Sequence, residues 1–214
     1  MPLDDTSFAR ISKLVEQYNA KSKKIRDDDN LSHVGKQRAL AALYVQHRDQ
    51  IGDIREKANQ AYTNRKGYLM GEVFGVHGAT NPAEVMAMRD AMDRAADIDT
   101  PAKARRMFQQ AHLTGDEYLR RAIAATAFDR RGDSDLGDHW AGLFNDYAQT
   151  QDDRRQGLVA ELDQLHQANG KRARLQENIL CNLSKPSELN GWGDIDAVAA
   201  GAINLGPESE GDAA

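Results

Sequence analysis

One cysteine, Cys181, is all the chain has, so no disulfide can form within it and the usage fits a reducing compartment. Prolines number five, none of them between Pro2 and Pro82, so a long stretch carries no ring to break a helix. Alternating β-branched runs that would support a sheet are missing. No apolar run approaches the roughly 18 residues that span a bilayer. Met1-Pro2-Leu3-Asp4-Asp5 has neither the basic cluster nor the apolar segment of a signal peptide. The expectation is an all-α protein, soluble and cytoplasmic, without membrane contact.

Signatures of chemistry are equally thin. Gly35-Lys36 lacks the preceding glycine spacing of a P-loop and is followed by Gln37 rather than Ser or Thr. Six histidines, His33, His47, His77, His112, His139 and His166, are scattered, with no pair spaced to share a helical face as metal ligands. No serine sits in a Gly-x-Ser-x-Gly context. Catalytic residues, metal ligands and cofactors are therefore expected to be none. The net charge of −5 conceals an asymmetry: residues 1–74 carry 13 Lys/Arg against 10 Asp/Glu, and residues 75–214 carry 15 against 23. An acidic body argues against a dedicated nucleic-acid-binding domain, which needs a net basic face.

What the sequence does hold is helix. Hydrophobic residues make up 40%, charged residues 29%, and alanine fills 31 positions, a mixture suited to extended, well-solvated helices. From Ser32 to about Phe74 the series Tyr44, His47, Ile51, Ile54, Ala58, Ala61, Arg65, Tyr68 steps by three and four, the seam of a heptad repeat. Asp5, Thr6 and Ser7 offer N-caps for an earlier helix whose seam is Phe8, Ile11, Val15, Tyr18, Ser22 and Ile25. Asp27, Asp28 and Asp29 mark the turn between the two, with Asn30 or Ser32 as the next N-cap. The prediction for residues 1–74 is an antiparallel coiled-coil hairpin with a long second helix. Gly67, Gly71, Gly75 and Gly78 lead into a hinge over 75–81.

A bundle of short helices is expected over 82–185. Asn81-Pro82 and Thr100-Pro101 are N-cap and N1 pairs, with Val85, Met88, Met92 and Ala95, then Ala104, Met107, Phe108 and Ala111, facing inward. Thr114-Gly115-Asp116-Glu117 has the spacing of a capping box ahead of Tyr118, Ala122, Ile123, Ala125 and Phe128. Asp135 can cap a helix burying Leu136, Trp140, Leu143 and Tyr147. Further helices run through Leu158, Leu162 and Leu165, and through Leu175 and Ile179, the last ending by Pro186. Residues 186–214 contain no Lys or Arg and read as an acidic, partly disordered tail, in which Trp192 and the run 197–205 are expected to dock or to form a short helix and 206–214 to be disordered.

Two sets of candidate partner-binding residues follow. The first helix covers its neighbour only to about Ile54, which leaves Ala58, Ala61, Tyr62, Tyr68 and Leu69 as an apolar stripe in need of another surface, either a second chain or the chain's own body. The other set, Lys21, Lys23, Lys24 and Arg26, reads as a solvated helix face or an anionic docking site. The arginine doublets 105–106, 120–121, 130–131 and 154–155 read as surface charge balance.

NLSHVGKQRALAALYVQHRDQI from Asn30, TGDEYLRRAIAATAF from Thr114 and SKPSEL from Ser184 resemble helical proteins encoded among the structural genes of tailed phages and prophages. That resemblance implies a role in virion, or head, morphogenesis with scaffolding-like proteins as the nearest class. It implies partners that are copies of the chain itself or virion proteins, a homo-oligomer or a larger assembly, and a place in the host cytoplasm or the virion. The alternative is a helical adaptor or regulator that binds a host or phage protein. Phage scaffolds frequently place a basic coat-binding segment at the C-terminus, whereas here the basic bias is N-terminal.

Overall fold

The computed structural model describes residues 3–75, 81–132 and 135–201. Among them the architecture is all-helical, and no helix is long and apolar enough to cross a membrane. The expected hinge over 75–81 falls almost entirely, and the expected disordered stretch 206–214 wholly, outside the described residues. The chain divides into two compact units: Met1–Tyr62 with Ala168–Ala214, and Thr63–Gln167. This differs from the expected partition at the glycine-rich stretch, because the last turns of the long helix belong to the second unit's core and the segment from Ala168 onward belongs with the hairpin.

In the first unit, α1 (Asp5–Arg26) is capped by Asp4, whose carboxylate accepts from Ser7 N–H at 2.6 Å, one position ahead of the expected caps. Asp27 closes α1, Asp28 accepts from the Asn30 N–H, and Ser32 Oγ accepts from the Gly35 N–H to open α2 (His33–Phe74). Ile11, Tyr18, Leu43, Ile51 and Ile54 form the hairpin core, with Tyr18 tilted on His47 at 5.7 Å between ring centres. Phe8, at the seam's start, is 45% exposed.

The chain from Ala168 onward completes this unit: the helix expected to close the bundle and the segment expected as tail both belong to it. α8 (Lys171–Cys181) buries Glu177, whose carboxylate accepts from Arg55 Nε at 3.1 Å, and presents Leu180 and Cys181 to the hairpin core. Leu183 joins the same core, and Tyr18 Oη donates to the Ser184 carbonyl at 2.9 Å. After the 3-10 turn Ser187–Leu189, α9 (Ile195–Ala199) sets Val198 beside Leu189 and Ala41 in a second, smaller core.

The second unit is organised on α5 (Glu117–Arg130), packed by α3 (Pro82–Ala96), α4 (Pro101–Thr114) and α6 (Gly137–Gln149). Ala122, Ala124, Ala125 and Ala127 let those neighbours approach from several sides without a polar face to keep wet. Asp116, rather than Thr114, caps α5 by accepting from Leu119 N–H; Thr114 ends α4 and donates its hydroxyl to Gln110 O. The intervening Gly115 takes φ +73°, a left-handed C-cap that favours glycine. Val85 and Met92 are exposed, and Ala91 takes the inward place between Met88 and Ala95. Leu136 is also exposed, standing as the N-cap of α6 in place of Asp135.

Phe74 enters this core against Phe128, Phe144 and Tyr147, with ring centres 5.9–6.3 Å away. Tyr147 Oη donates to the Val73 carbonyl at 3.0 Å. A Cβ at Gly75 would lie 2.4 Å from the Gly71 carbonyl oxygen, so glycine is required where α2 ends. α7 (Asp153–Ala168) adds Val159 and Leu162, and it pairs Glu161 with Arg65 and Arg154 with Glu72. Phe74→Ala should cost about 3–5 kcal/mol in chemical unfolding, whereas Ala61→Glu at an exposed position should stay within about 0.5 kcal/mol of wild type.

Candidate functional site

The expected apolar stripe is not one surface. Leu69 is fully buried in the second unit's core, so it offers nothing to a partner. Tyr68 is 48% exposed with the Arg65 guanidinium 5.0 Å from its ring centre, and Arg65 is in turn held by both Glu161 oxygens at 2.5 and 2.6 Å. Ala58 and Tyr62 are half-buried and Ala61 is exposed. The half of α2 that α1 cannot reach therefore has intramolecular neighbours within each unit: α8 at Arg55 and α7 from Arg65 to Glu72.

Of the basic candidates, Lys21, Lys23 and Lys24 are exposed, but Arg26 is committed. Its Nε and Nη2 donate to the two oxygens of Glu188 at 2.5 and 3.2 Å. That guanidinium holds the Glu188 carboxyl down at about 2, and Arg48, forked onto both Asp196 oxygens at 2.7 and 3.0 Å, lowers Asp196 likewise. The basic bias of the hairpin and the acidity of the C-terminal segment thus meet inside one unit.

Two of the four arginine doublets, 120–121 and 130–131, are not the surface charge expected of them. Arg131 has 6% of its side chain exposed; it pairs with Asp163 and lies 4.0 Å from the Phe128 ring centre, a cation over an aromatic face. Arg120, 10% exposed, donates to Glu117 and to Thr150 Oγ1 over the Phe108 ring, and Arg121 reaches the Gly75 carbonyl at 3.5 Å. Arg130 donates to the Ile98 carbonyl and stacks 5.3 Å from Trp140. The signal in the sequence was aromatics and helix ends nearby, but only the tertiary arrangement says which arginine meets which ring.

Among the described residues no group of His, Cys, Asp and Glu is arranged to hold a metal ion. Cys181 is half-buried, and burial pushes its thiol up. Among the described residues, three grooves stand out for their lining. A groove of about 400 Å³ runs between α1 and α2, with Leu14 and Ile54 beneath Arg10, Lys13 and Lys57. The other two lie between α4 and α6: about 450 Å³ at their first turns, beside Pro101, Leu136 and His139, and about 410 Å³ at their last turns, beside Phe108, His112, Leu113 and Thr150. No local pattern marks α4 or α6 as a contact surface, because their outward residues are polar and apolar in mixture rather than in a stripe.

Compared with protein-family models, with curated proteins and with solved structures, the chain matches none.

The Glu188–Arg26 pair gives a pH test with a definite sign. Because the folded carboxyl lies below its ordinary 4.5, its contribution is present above that value and is lost as pH falls toward 2. Glu188→Gln should lower stability by about 1 kcal/mol near neutrality, given the partial exposure of both partners. Paired acid titrations should show the two proteins converging as pH falls from 5 toward 2.

Proposed function

We propose that the protein is a non-enzymatic structural or assembly component of a tailed phage or prophage, acting in virion morphogenesis through helical protein–protein contacts. The observation that carries this reading is the set of large apolar side chains left exposed on regular helices. Leu113 on α4 is 86% exposed, Met86 on α3 70%, and Leu175 and Ile179, one turn apart on α8, 61% and 71%. Apolar groups grouped on a helical face are a mark of protein contact. The resemblance of three segments to phage structural gene products supplies the setting.

The exposed α8 pair supplies the variant. Leu175→Glu with Ile179→Glu changes no core residue, so the protein should stay folded while losing incorporation into assembly intermediates. Quantitative mass spectrometry of intermediates and finished particles, from cells expressing either form with the rest of the virion genes, measures this. Wild-type protein in the intermediates, with the variant depleted at least tenfold, is the expected result. Its absence from every particle fraction, with stoichiometric capture on a regulator instead, would favour the adaptor function.

A further inference from the structure

The face formed by α4 and α6 carries two features that answer each other. α4 holds Lys103, Arg105 and Arg106 and no acidic residue, whereas α6 holds Asp138 and Asp146 and no Lys or Arg. The two helices run in the same direction, since their first turns line one groove and their last turns line the other. Arg105 crosses between them to Asp146 at 3.3 Å, with 53% of each side chain exposed, and Arg106 and Asp138 are exposed. At the far end, Leu113 stands out beside the 410 Å³ groove, which is walled by Phe108 and Thr150. At the near end, Leu136, 46% exposed, stands beside the groove of Pro101.

We propose that this face is the contact between two copies of the chain, arranged about a twofold axis that runs along the helix direction in the plane of the interface. Such an axis lays α4 of one copy over α6 of the other. It sets arginines against aspartates twice over, and keeps each leucine at the level of the groove it would enter. A like-on-like arrangement, α4 over α4, would oppose Arg105 and Arg106 of one copy to the same two arginines of the other and is disfavoured for that reason. An isologous contact also satisfies knob and groove with a single sequence. The footprint, two helices of roughly 20 Å in length, is smaller than the ~800 Å² per partner of standard interfaces. The dimer is therefore one that dissociates on dilution through the micromolar range. This inference deepens the assembly reading and rests on it only in taking another protein chain as the ligand.

Charge exchange tests it. In one variant Arg105→Glu is combined with Arg106→Glu, and in a second Asp138→Lys is combined with Asp146→Lys. Each alone places like charges across the twofold, so each should sediment as a monomer at concentrations where wild type dimerises. An equimolar mixture should restore the dimer as a heterodimer. Leu113→Glu, at a position almost wholly exposed in the monomer, should weaken wild-type association at least tenfold with its circular dichroism and melting unchanged. The inference is overturned by a wild type that stays monomeric up to submillimolar concentration, by a dimer indifferent to Leu113→Glu, or by folded charge variants that fail to associate when mixed. A monomer that still enters assembly intermediates would sink the dimer and leave the assembly function standing. A dimer absent from every particle would do the reverse.

Discussion

The end of α2 must be satisfied in the dry interior of the second unit, and much of that unit is arranged around this constraint. A helix leaves its last carbonyls without helical partners, and a buried unpaired carbonyl costs as much as a lost hydrogen bond. Tyr147 meets the demand by donating to the Val73 carbonyl, and Arg121 approaches that of Gly75. Both donors come from helices that must then sit close by, α6 and α5. Their approach brings Phe128, Phe144 and Tyr147 around Phe74, and places the alanines of α5 against everything else. Tyr147 is so enclosed that burial raises its hydroxyl above the usual tyrosine value, which keeps it protonated as the donor this arrangement needs.

The first unit has a different foundation, in which charge closes what apolar contact begins. The hairpin core is modest; Leu180, Cys181 and Leu183 fasten the C-terminal segment to it, and Leu189 and Val198 fasten it to Ala41 in the smaller core. Arg26, Arg48 and Arg55 then fix that segment through Glu188, Asp196 and Glu177. Two-oxygen pairing by a planar guanidinium defines a direction as well as a distance, so the Arg26–Glu188 and Arg48–Asp196 pairs specify how the segment lies more than they add to its binding.

Much of the architecture was legible in the residues. The α1 seam from Ile11, the α2 seam as far as Ile54, the aspartate turn, the Asn81-Pro82 and Thr100-Pro101 starts and the inward faces of α4 and α5 follow from local rules of spacing and capping, whereas beyond Ile54 the seam positions Ala61, Arg65 and Tyr68 are exposed. What escaped was long-range. Nothing local says that Arg26 meets Glu188, 162 residues later, or that Arg65 meets Glu161. The same limit separates the expected partition from the two units: Gly75 has the composition of a joint, whereas no Cβ fits there against the Gly71 carbonyl and the turns just before it belong to the second unit's core. Of the candidate residues, Leu69 and Arg26 were chosen by correct local pattern and are occupied by partners within their own units. The α4–α6 face was invisible because its complementarity is between helices, not along one.

The first unit is drawn from both sides of the chain, with the whole of the second interposed between Tyr62 and Ala168. On the ribosome this sets an order of events. The hairpin emerges first, but the residues that cover its Ala41 and Ile54 surfaces, from Leu180 to Val198, are not made until the interposed unit is complete. During that interval, at about 5–20 residues per second, the nascent hairpin waits with apolar surface uncovered while the alanine-centred unit closes behind it on contacts much nearer in sequence. Synthesis thus finishes the later-made unit first and the earlier-made one last.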